Sequence, residues 1–312
     1  MKQGKTSKSY VATSSKIRQV SPLLDHVTHS VLTFFAFANN FVLQDHHTLE
    51  PRTYKESLRR PDRPKWEEAE RVELDTLVKH GTWEVIDRPP DLKIDPLPSQ
   101  WRYKLKVNQE GVITKYKARM CLRGDMQYPS EYSDVYSPTG RIASARTLIS
   151  LATQERMFLY AYDIEAAFVS ADIDRELYIQ LPPGYELPYG KVARLKRSLY
   201  GLKQSSSLFY KKLYKWLTSN GFNQIGDDGT LFRRSTKEGT LMVSMYVDDG
   251  LVASSSPELY QKFLKEIEHE FTISDQGPLK QYLGVSITHD RENGRATLSQ
   301  EKYTNDLLEK YQ

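Results

Sequence analysis

Residues 244–254 read SMYVDDGLVAS. Tyr246, Val247, Leu251 and Val252 favour strands, yet Asp248 and Asp249 stand side by side in the middle of the run. Asp is depleted in strands, and adjacent carboxylates repel each other. Two compatible readings account for them. Asp-Gly is a hairpin signal because Gly250 tolerates a positive φ, so the aspartates turn the chain. Alternatively, the turn presents carboxylates to a hard divalent cation, which needs only one or two of them beside substrate phosphates. Either way the segment must fold as a hairpin. A second Asp-Asp-Gly, Asp227-Asp228-Gly229, follows GFNQI without a sustained apolar strand and reads as a solvated turn.

Other segments carry the same mixture of strand pattern and charge. In MFLYAYDIEAAFVSADI (157–173), Asp163 interrupts an apolar strand. In WRYKLKVN (101–108), Trp101, Tyr103, Leu105 and Val107 alternate with Arg102, Lys104, Lys106 and Asn108. After a QEG turn, Lys115, Lys117 and Arg119 alternate with Tyr116, Ala118, Met120 and Leu122. Strand side chains have period two, so each strand gathers its basic residues on one face. A solvated hairpin face is the ordinary reading. A face of one sign is costly, however, unless an anion such as phosphate neutralises it.

Helices are expected where apolar residues recur at helical spacing. In KWEEAERVELDTLVKHG these are Trp66, Ala69, Val72, Leu74, Leu77 and Val78, with Gly81 as the stop and TWEVI as a following strand. ASARTLISLATQER (143–156) is a second helix. A third has Ser205–Ser207 as cap candidates, Leu208, Phe209, Leu213, Trp216 and Leu217 as its buried stripe, and Lys211, Lys212 and Lys215 as a basic face. PELYQKFLKEIEHEF is a fourth, with Leu259, Phe263, Ile267 and Phe271 four apart. PLKQYLGVSITHD and RATLSQEKY read as short strands, and NDLLEKYQ opens another helix.

Composition narrows the function classes. Hydrophobic residues at 39% and charged residues at 27% suit a soluble globular protein. A net charge of +4 permits a polyanionic partner without demanding one, and 20 Tyr would serve base stacking or ordinary packing. The single cysteine, Cys121, allows neither an intramolecular disulfide nor a cysteine zinc site, and an intracellular setting is expected. VLTFFAFA (31–38) is too short for a bilayer span of about 20 residues. Residues 1–20 carry five basic residues and no acid, and read as a disordered tail. Asp25, His26, His29, Asp45, His46 and His47 invite a metal reading, but no further ligand stands at a recognised spacing. A P-loop is excluded, because GYELPYGKV has five residues between its glycines and no Ser or Thr after Lys191.

The ordered set of motifs resembles the reverse transcriptase of copia-type LTR retrotransposons. PKWEEAERVELDTLVKHGTWEV resembles that family's opening helix and strand, and WRYKLKVNQEGVITKYKARMCLRG its fingers hairpin. YSPTGRIASARTLISLAT resembles the segment that follows, YDIEAAFVSADIDRELYIQLPPGYE the first catalytic motif, and LKRSLYGLKQSSSLFY the template and nucleotide motif. MYVDDGLVAS resembles the signature hairpin, and LKQYLGVSI with LSQEKYTNDLL the primer-side segment. The resemblance covers about residues 49–312; residues 1–48 match nothing recognised.

The resemblance implies an α+β fold: right-hand polymerase fingers and palm, an antiparallel sheet backed by helices, and a thumb largely absent because the match runs out at Gln312. It divides the chain into an unassigned segment at 1–48, fingers at 49–156, a palm at 157–290 with fingers elements near 185–205, and the start of a thumb at 291–312. It implies RNA-directed DNA polymerase activity by two-metal nucleotidyl transfer, with Mg²⁺ or Mn²⁺ as cofactor. Template RNA or DNA with a primer, and dNTPs, are the implied partners, with no membrane. The implied location is cytoplasmic, in a virus-like particle, or nuclear. Asp163, Asp248 and Asp249 are the implied catalytic metal ligands. Lys106, Lys117 and Arg119 would contact the triphosphate, Phe168 the sugar 2′ position, and Gly201 and Gln204 the nascent base pair. One departure stands out: Ser205-Ser206 replaces the family's Ala-Pro, which would loosen the turn before the helix. The alternative is a catalytically inactive remnant that only binds nucleic acid. A different metal enzyme on a palm-like sheet, such as a nucleotide cyclase, is disfavoured by LYGLKQ and the basic hairpin.

Overall fold

A computed structural model describes residues 50–107 and 112–311. The basic tail, the VLTFFAFA run, the Asp25–His47 cluster and the QEG turn lie outside the described residues. The chain divides into two compact units, Met1–Pro51 with Leu105–Lys115, and Arg52–Lys104 with Tyr116–Gln312. In the first unit, Glu50 Oε1 accepts the Leu105 N–H at 2.9 Å and the Thr114 hydroxyl donates to the Lys106 carbonyl at 3.1 Å.

The second unit is built on a six-stranded antiparallel sheet. Its strands are β4 (Phe158–Ile164), β7 (Asn223–Ile225), β8 (Leu231–Thr236), β9 (Gly239–Tyr246), β10 (Asp249–Ser254) and β11 (Ile273–Pro278), in the order β11-β4-β10-β9-β8-β7. Period-two alternation gives the sheet two apolar faces. Tyr160, Tyr162, Ile164, Val243, Met245 and Val252 share one core with α5 (Ser205–Ser219) and α6 (Pro257–Glu268). Leu159, Leu251, Ala253 and Met242 share the other with α3 (Ile142–Gln154) and with Tyr282, Val285 and Ile287. A sheet apolar on both faces explains why these strands read as nearly continuous hydrophobic runs.

A small sheet of β12 (Gln281–Tyr282), β13 (Val285–Asp290) and β14 (Arg295–Ser299) lies on that second face, and α7 (Glu301–Tyr311) follows it. PLKQYLGVSITHD reads as one strand in sequence, but Leu283 and Gly284 both adopt positive φ, 48° and 77°, and fold it into a hairpin. RATLSQEKY likewise reads as strand throughout, whereas Glu301 onward is helical.

A separate sheet orders β1 (Trp83–Asp87), β6 (Lys191–Leu195) and β5 (Tyr178–Ile179) as β1-β6-β5. The basic hairpin forms as a two-stranded sheet of β2 (Ser99–Val107) and β3 (Ile113–Leu122). Before it come α1 (Tyr54–Ser57) and α2 (Arg63–Lys79). Trp66 of α2, fully buried, meets Tyr103 and Tyr116 edge-on at 5.2 and 4.7 Å, so those two tyrosines share the covered face of the hairpin. The helical period of α2 misleads at two positions: Val72 and Val78 are exposed, and the buried face carries Glu70 instead. Glu70 is stabilised there by two hydrogen bonds from Arg63, at 2.5 and 2.9 Å, and one from the Tyr103 hydroxyl at 2.6 Å. A buried charge is tolerable only with partners of this kind. Among the described residues no helix is long and apolar enough to cross a membrane.

Candidate active site

β4 and β10 are central neighbours in the six-stranded sheet, and their register sets Asp163 directly opposite Asp249. Directly opposed residues in an antiparallel pair present their side chains on the same face. On the other flank of β4, Ser274 of β11 stands opposite Asp163. Asp248 lies one residue earlier, in the turn from β9, and its carbonyl accepts the Ile164 N–H at 2.9 Å. Three carboxylates separated by as much as 86 residues in sequence (249 − 163) are thus brought to one end of the sheet.

The turn differs from the expected Asp-Gly type. Tyr246 pairs with Asp249, so the two turn residues are Val247 and Asp248, and Val247 takes the positive φ, 58°. A β-branched residue in this region stores on the order of 1–3 kcal/mol of strain. Gly250 instead lies within β10, where a Cβ would collide with the Tyr162 ring. The glycine is there for space and the valine takes the strain. The second Asp-Asp-Gly is not merely solvated either. Asp228 accepts the Thr230 N–H at 3.1 Å and the Arg141 N–H at 3.4 Å, tying down the start of α3.

The carboxylates stand in a demanding electrostatic setting. Although Asp249 is exposed at its tip, surrounding protein atoms, then Asp248 and Asp163, push its pKa up to about 6. Among the described residues, no three His, Cys, Asp or Glu side chains close a metal cluster by themselves. Mg²⁺ does not need one, since it is commonly held by one or two carboxylates plus substrate phosphates and water. Hard oxygen donors with surplus negative charge fit such an ion.

The basic strand contributes Lys117 and Arg119 of β3, both half-buried. Arg119 lays its guanidinium over the Tyr200 ring, 5.4 Å from the centroid. Glu73 of α2 accepts the Met120 N–H at 3.2 Å; burial raises its pKa, while the Met120 bond, Arg119 and Lys117 oppose the rise. Lys106 is exposed on β2, in the first unit. Phe168 sits in the four-residue helix α4 (Ala167–Ser170), reached from β4 through Ala166 at φ 51°. Its ring meets Tyr200 edge-on at 4.7 Å and Phe209 at 6.2 Å.

Gly201 and Gln204 have mainly architectural contacts. The Leu122 N–H donates to the Tyr200 carbonyl at 2.8 Å, and a Cβ on Gly201 (φ 96°) would strike the Leu122 backbone. Gln204 is fully buried; its amide nitrogen donates to the Glu131 carbonyl at 3.0 Å, and its oxygen accepts from Gln127 Nε2 at 3.1 Å. The serines that replace Ala-Pro are not helix caps. α5 begins at Ser205, and the preceding Gln204 makes no side-chain cap bond. The buried Ser205 hydroxyl donates to the Leu199 carbonyl at 2.6 Å and accepts from Ser198 at 2.8 Å, which holds the turn that proline would otherwise stiffen. Tyr200 and Glu73 are absent from the residues that sequence patterns single out. Tyr200 had a signal, since it stands inside the LYGLKQ motif beside Gly201.

An antiparallel sheet that collects acidic side chains at one end, with Arg119 of the basic strand and the carboxylates Asp163 and Asp248 both acting on Tyr200, fits a polymerase-type palm. Similarity to known proteins then gives the family. Residues 80–312 match the family model for reverse transcriptase (RNA-dependent DNA polymerase), and the chain belongs to that family. It is 31% identical over 266 residues to the retrovirus-related Pol polyprotein of tobacco transposon TNT 1-94, covering 84% of this chain and 20% of that protein. It is 28% identical to the Pol polyprotein of Arabidopsis transposon RE1, covering 83% and 18%, and 28% identical to a yeast Ty1 Gag-Pol polyprotein, covering 78% and 15%. The chain therefore spans about a fifth of the length of the plant polyproteins it matches. Among solved structures, a foamy viral protease-reverse transcriptase in complex with double-stranded DNA is 17% identical, with a TM-score of 0.44, covering 77% of this chain and 36% of that one.

Proposed function

We propose that this chain is the RNA-directed DNA polymerase core of a copia-type retrotransposon, extending a primer 3′-hydroxyl on an RNA or DNA template with dNTPs. The observation that carries this reading is the register of β4 and β10, which opposes Asp163 to Asp249 while the Asp248 carbonyl is bonded to Ile164. In the reaction the 3′-oxygen attacks the α-phosphorus, the bond to pyrophosphate breaks, and the hydroxyl proton leaves to solvent. Asp163, Asp248 and Asp249 would hold Mg²⁺ or Mn²⁺. Bound there, the divalent ions supply positive charge to the attacking and leaving oxygens. Lys117 and Arg119 would receive the triphosphate through charge-assisted hydrogen bonds, the role that the family resemblance also assigns to Lys106. Phe168 lies against the sugar. Gly201 and Gln204 hold the shape of the pocket next to the base pair. On this reading 49–156 are fingers, 157–290 the palm with fingers elements near 185–205, and 291–312 the start of a thumb.

Primer extension tests it directly. Purified protein is given an oligo-dT-primed RNA template, dTTP and Mg²⁺ or Mn²⁺, beside an Asp248→Asn variant. Native extension with a loss of at least ~10³-fold in the variant, as removal of charge stabilisation worth several kcal/mol implies, supports the reading. If neither protein extends while the native one binds primer–template, the chain only binds nucleic acid.

A further inference from the structure

Tyr200 occupies a position that the metal site and the basic strand do not explain. Its backbone is pinned: the carbonyl accepts the Leu122 N–H at 2.8 Å, and the next residue, Gly201, is pressed against the Leu122 backbone. Its side chain is half-buried and touches two groups of different function. The Phe168 ring meets it at 4.7 Å with an interplanar angle of 65°, and the Arg119 guanidinium lies 5.4 Å from its centroid. Asp163 and Asp248 are near enough that their charges act on its phenol. Burial, with those carboxylates, pushes its pKa up to about 12 against the pull of Arg119, so the ring is neutral at working pH.

Phe168 needs such a neighbour. It stands on a helix of four residues, entered through a strained Ala166, and so short a helix has little power to fix a ring. A steric gate discriminates only if it cannot swing aside. Tyr200 and Phe209 hold the Phe168 ring at 4.7 and 6.2 Å. Arg119 likewise projects from a strand edge, and the Tyr200 face gives its planar cation a surface to lie on.

We propose that Tyr200 is a positioning residue that sets sugar specificity, its ring holding Phe168 as the gate and aligning Arg119 for the triphosphate. The inference rests on the polymerase reading and adds the discrimination between deoxyribonucleotide and ribonucleotide to it. The contacts are made by the ring, so the hydroxyl is dispensable and the flat aromatic surface is not.

The experiment measures kcat/KM for dTTP and UTP in primer extension by the native protein and by Tyr200→Phe, Tyr200→Leu and Tyr200→Ala. Losing the ring is expected to compress the dTTP/UTP preference by about tenfold or more and to raise the KM for dTTP, as pocket contacts of this size do. Tyr200→Phe keeps the native ratio. Tyr200→Leu fills the volume without a flat face, so it separates loss of the ring from loss of folding. A merely structural role would lower kcat/KM for both nucleotides alike; an unchanged ratio in the Leu and Ala variants overturns the inference while leaving the polymerase reading intact. So does a Phe variant that behaves like Ala. If the native protein extends with neither nucleotide, the polymerase reading fails. Equilibrium binding of dTTP and UTP to the protein–primer–template complex with Ca²⁺ then decides the inference: a native preference lost in Tyr200→Leu supports it, and equal binding by the native protein overturns it.

Discussion

The exchange of roles between Val247 and Gly250 is decided atom by atom. Gly250 looks like a turn residue, but the place of its missing Cβ is filled by the Tyr162 ring, which in turn meets Phe263 of α6 edge-on at 5.7 Å. The glycine lets a core aromatic press against the strand that carries Asp249. Gly250→Ala is expected to destabilise the protein by about 1–3 kcal/mol, the usual cost of forcing atoms into a filled core. Thermal or urea unfolding measures this. The Tyr162→Leu background, which frees the space, should lower the Gly250→Ala penalty; full additivity of the two changes would refute the collision. Periodicity could not reveal any of this, because it reports which face a residue occupies and not what fills the space above it.

Element by element, the sequence was most informative where one physical demand dominated. The strand around Asp163, the β9–β10 hairpin and α6 follow from alternation and four-residue spacing, with Ser256 capping α6 by accepting the Leu259 N–H at 3.2 Å. It failed where polar groups were buried with partners from distant segments. Glu70 and Gln204 are the cases: both are buried, and the distant Tyr103 hydroxyl and Glu131 carbonyl are among the partners that make this possible. The carboxylate site was legible because charge inside an apolar run is costly unless something offsets it; for Tyr200 only its place in LYGLKQ was a signal, since an aromatic residue needs no special reason to be in a core. Glu73 joins α2 to β3 through Met120, and burial raises its pKa above the ordinary carboxylate value. The sign follows from linkage. With the folded pKa above the unfolded one, the folded state holds its proton longer, so ionisation disfavours folding as pH rises through that interval. Glu73→Gln keeps an acceptor for the Met120 N–H and removes the titration. Relative to this variant, the native protein is expected to lose stability from pH 4 to pH 7 in urea midpoints, and parallel profiles would contradict the assignment.

For the molecule as a whole, charge is the readable quantity. The net charge is only +4, yet Arg102, Lys104, Lys115, Lys117 and Arg119 all lie on the two strands of one hairpin. On the polymerase reading, binding of primer–template is expected to weaken with salt, each neutralised phosphate adding about 0.7–0.9 to the slope of log affinity against log salt. Replacing Lys104 and Lys115 with Gln is expected to make that slope shallower by roughly one to two units in titrations at several salt concentrations. An unchanged slope would place the nucleic acid on another surface.

The seam between β3 and the LYGLKQ loop has a consequence for how such a chain can change over time. Leu122 is bonded to the Tyr200 carbonyl, and a Cβ on Gly124 would overlap the Gly201 carbonyl as surely as one on Gly201 would overlap Leu122. What the seam requires is emptiness, and emptiness has no substitute. A lost salt bridge can be restored by a new partner, and a cavity can be refilled by a larger neighbour. A side chain added at either glycine admits no second-site remedy except its own removal. At these two positions it is backbone, not a side chain that could be trimmed, that leaves room for glycine alone.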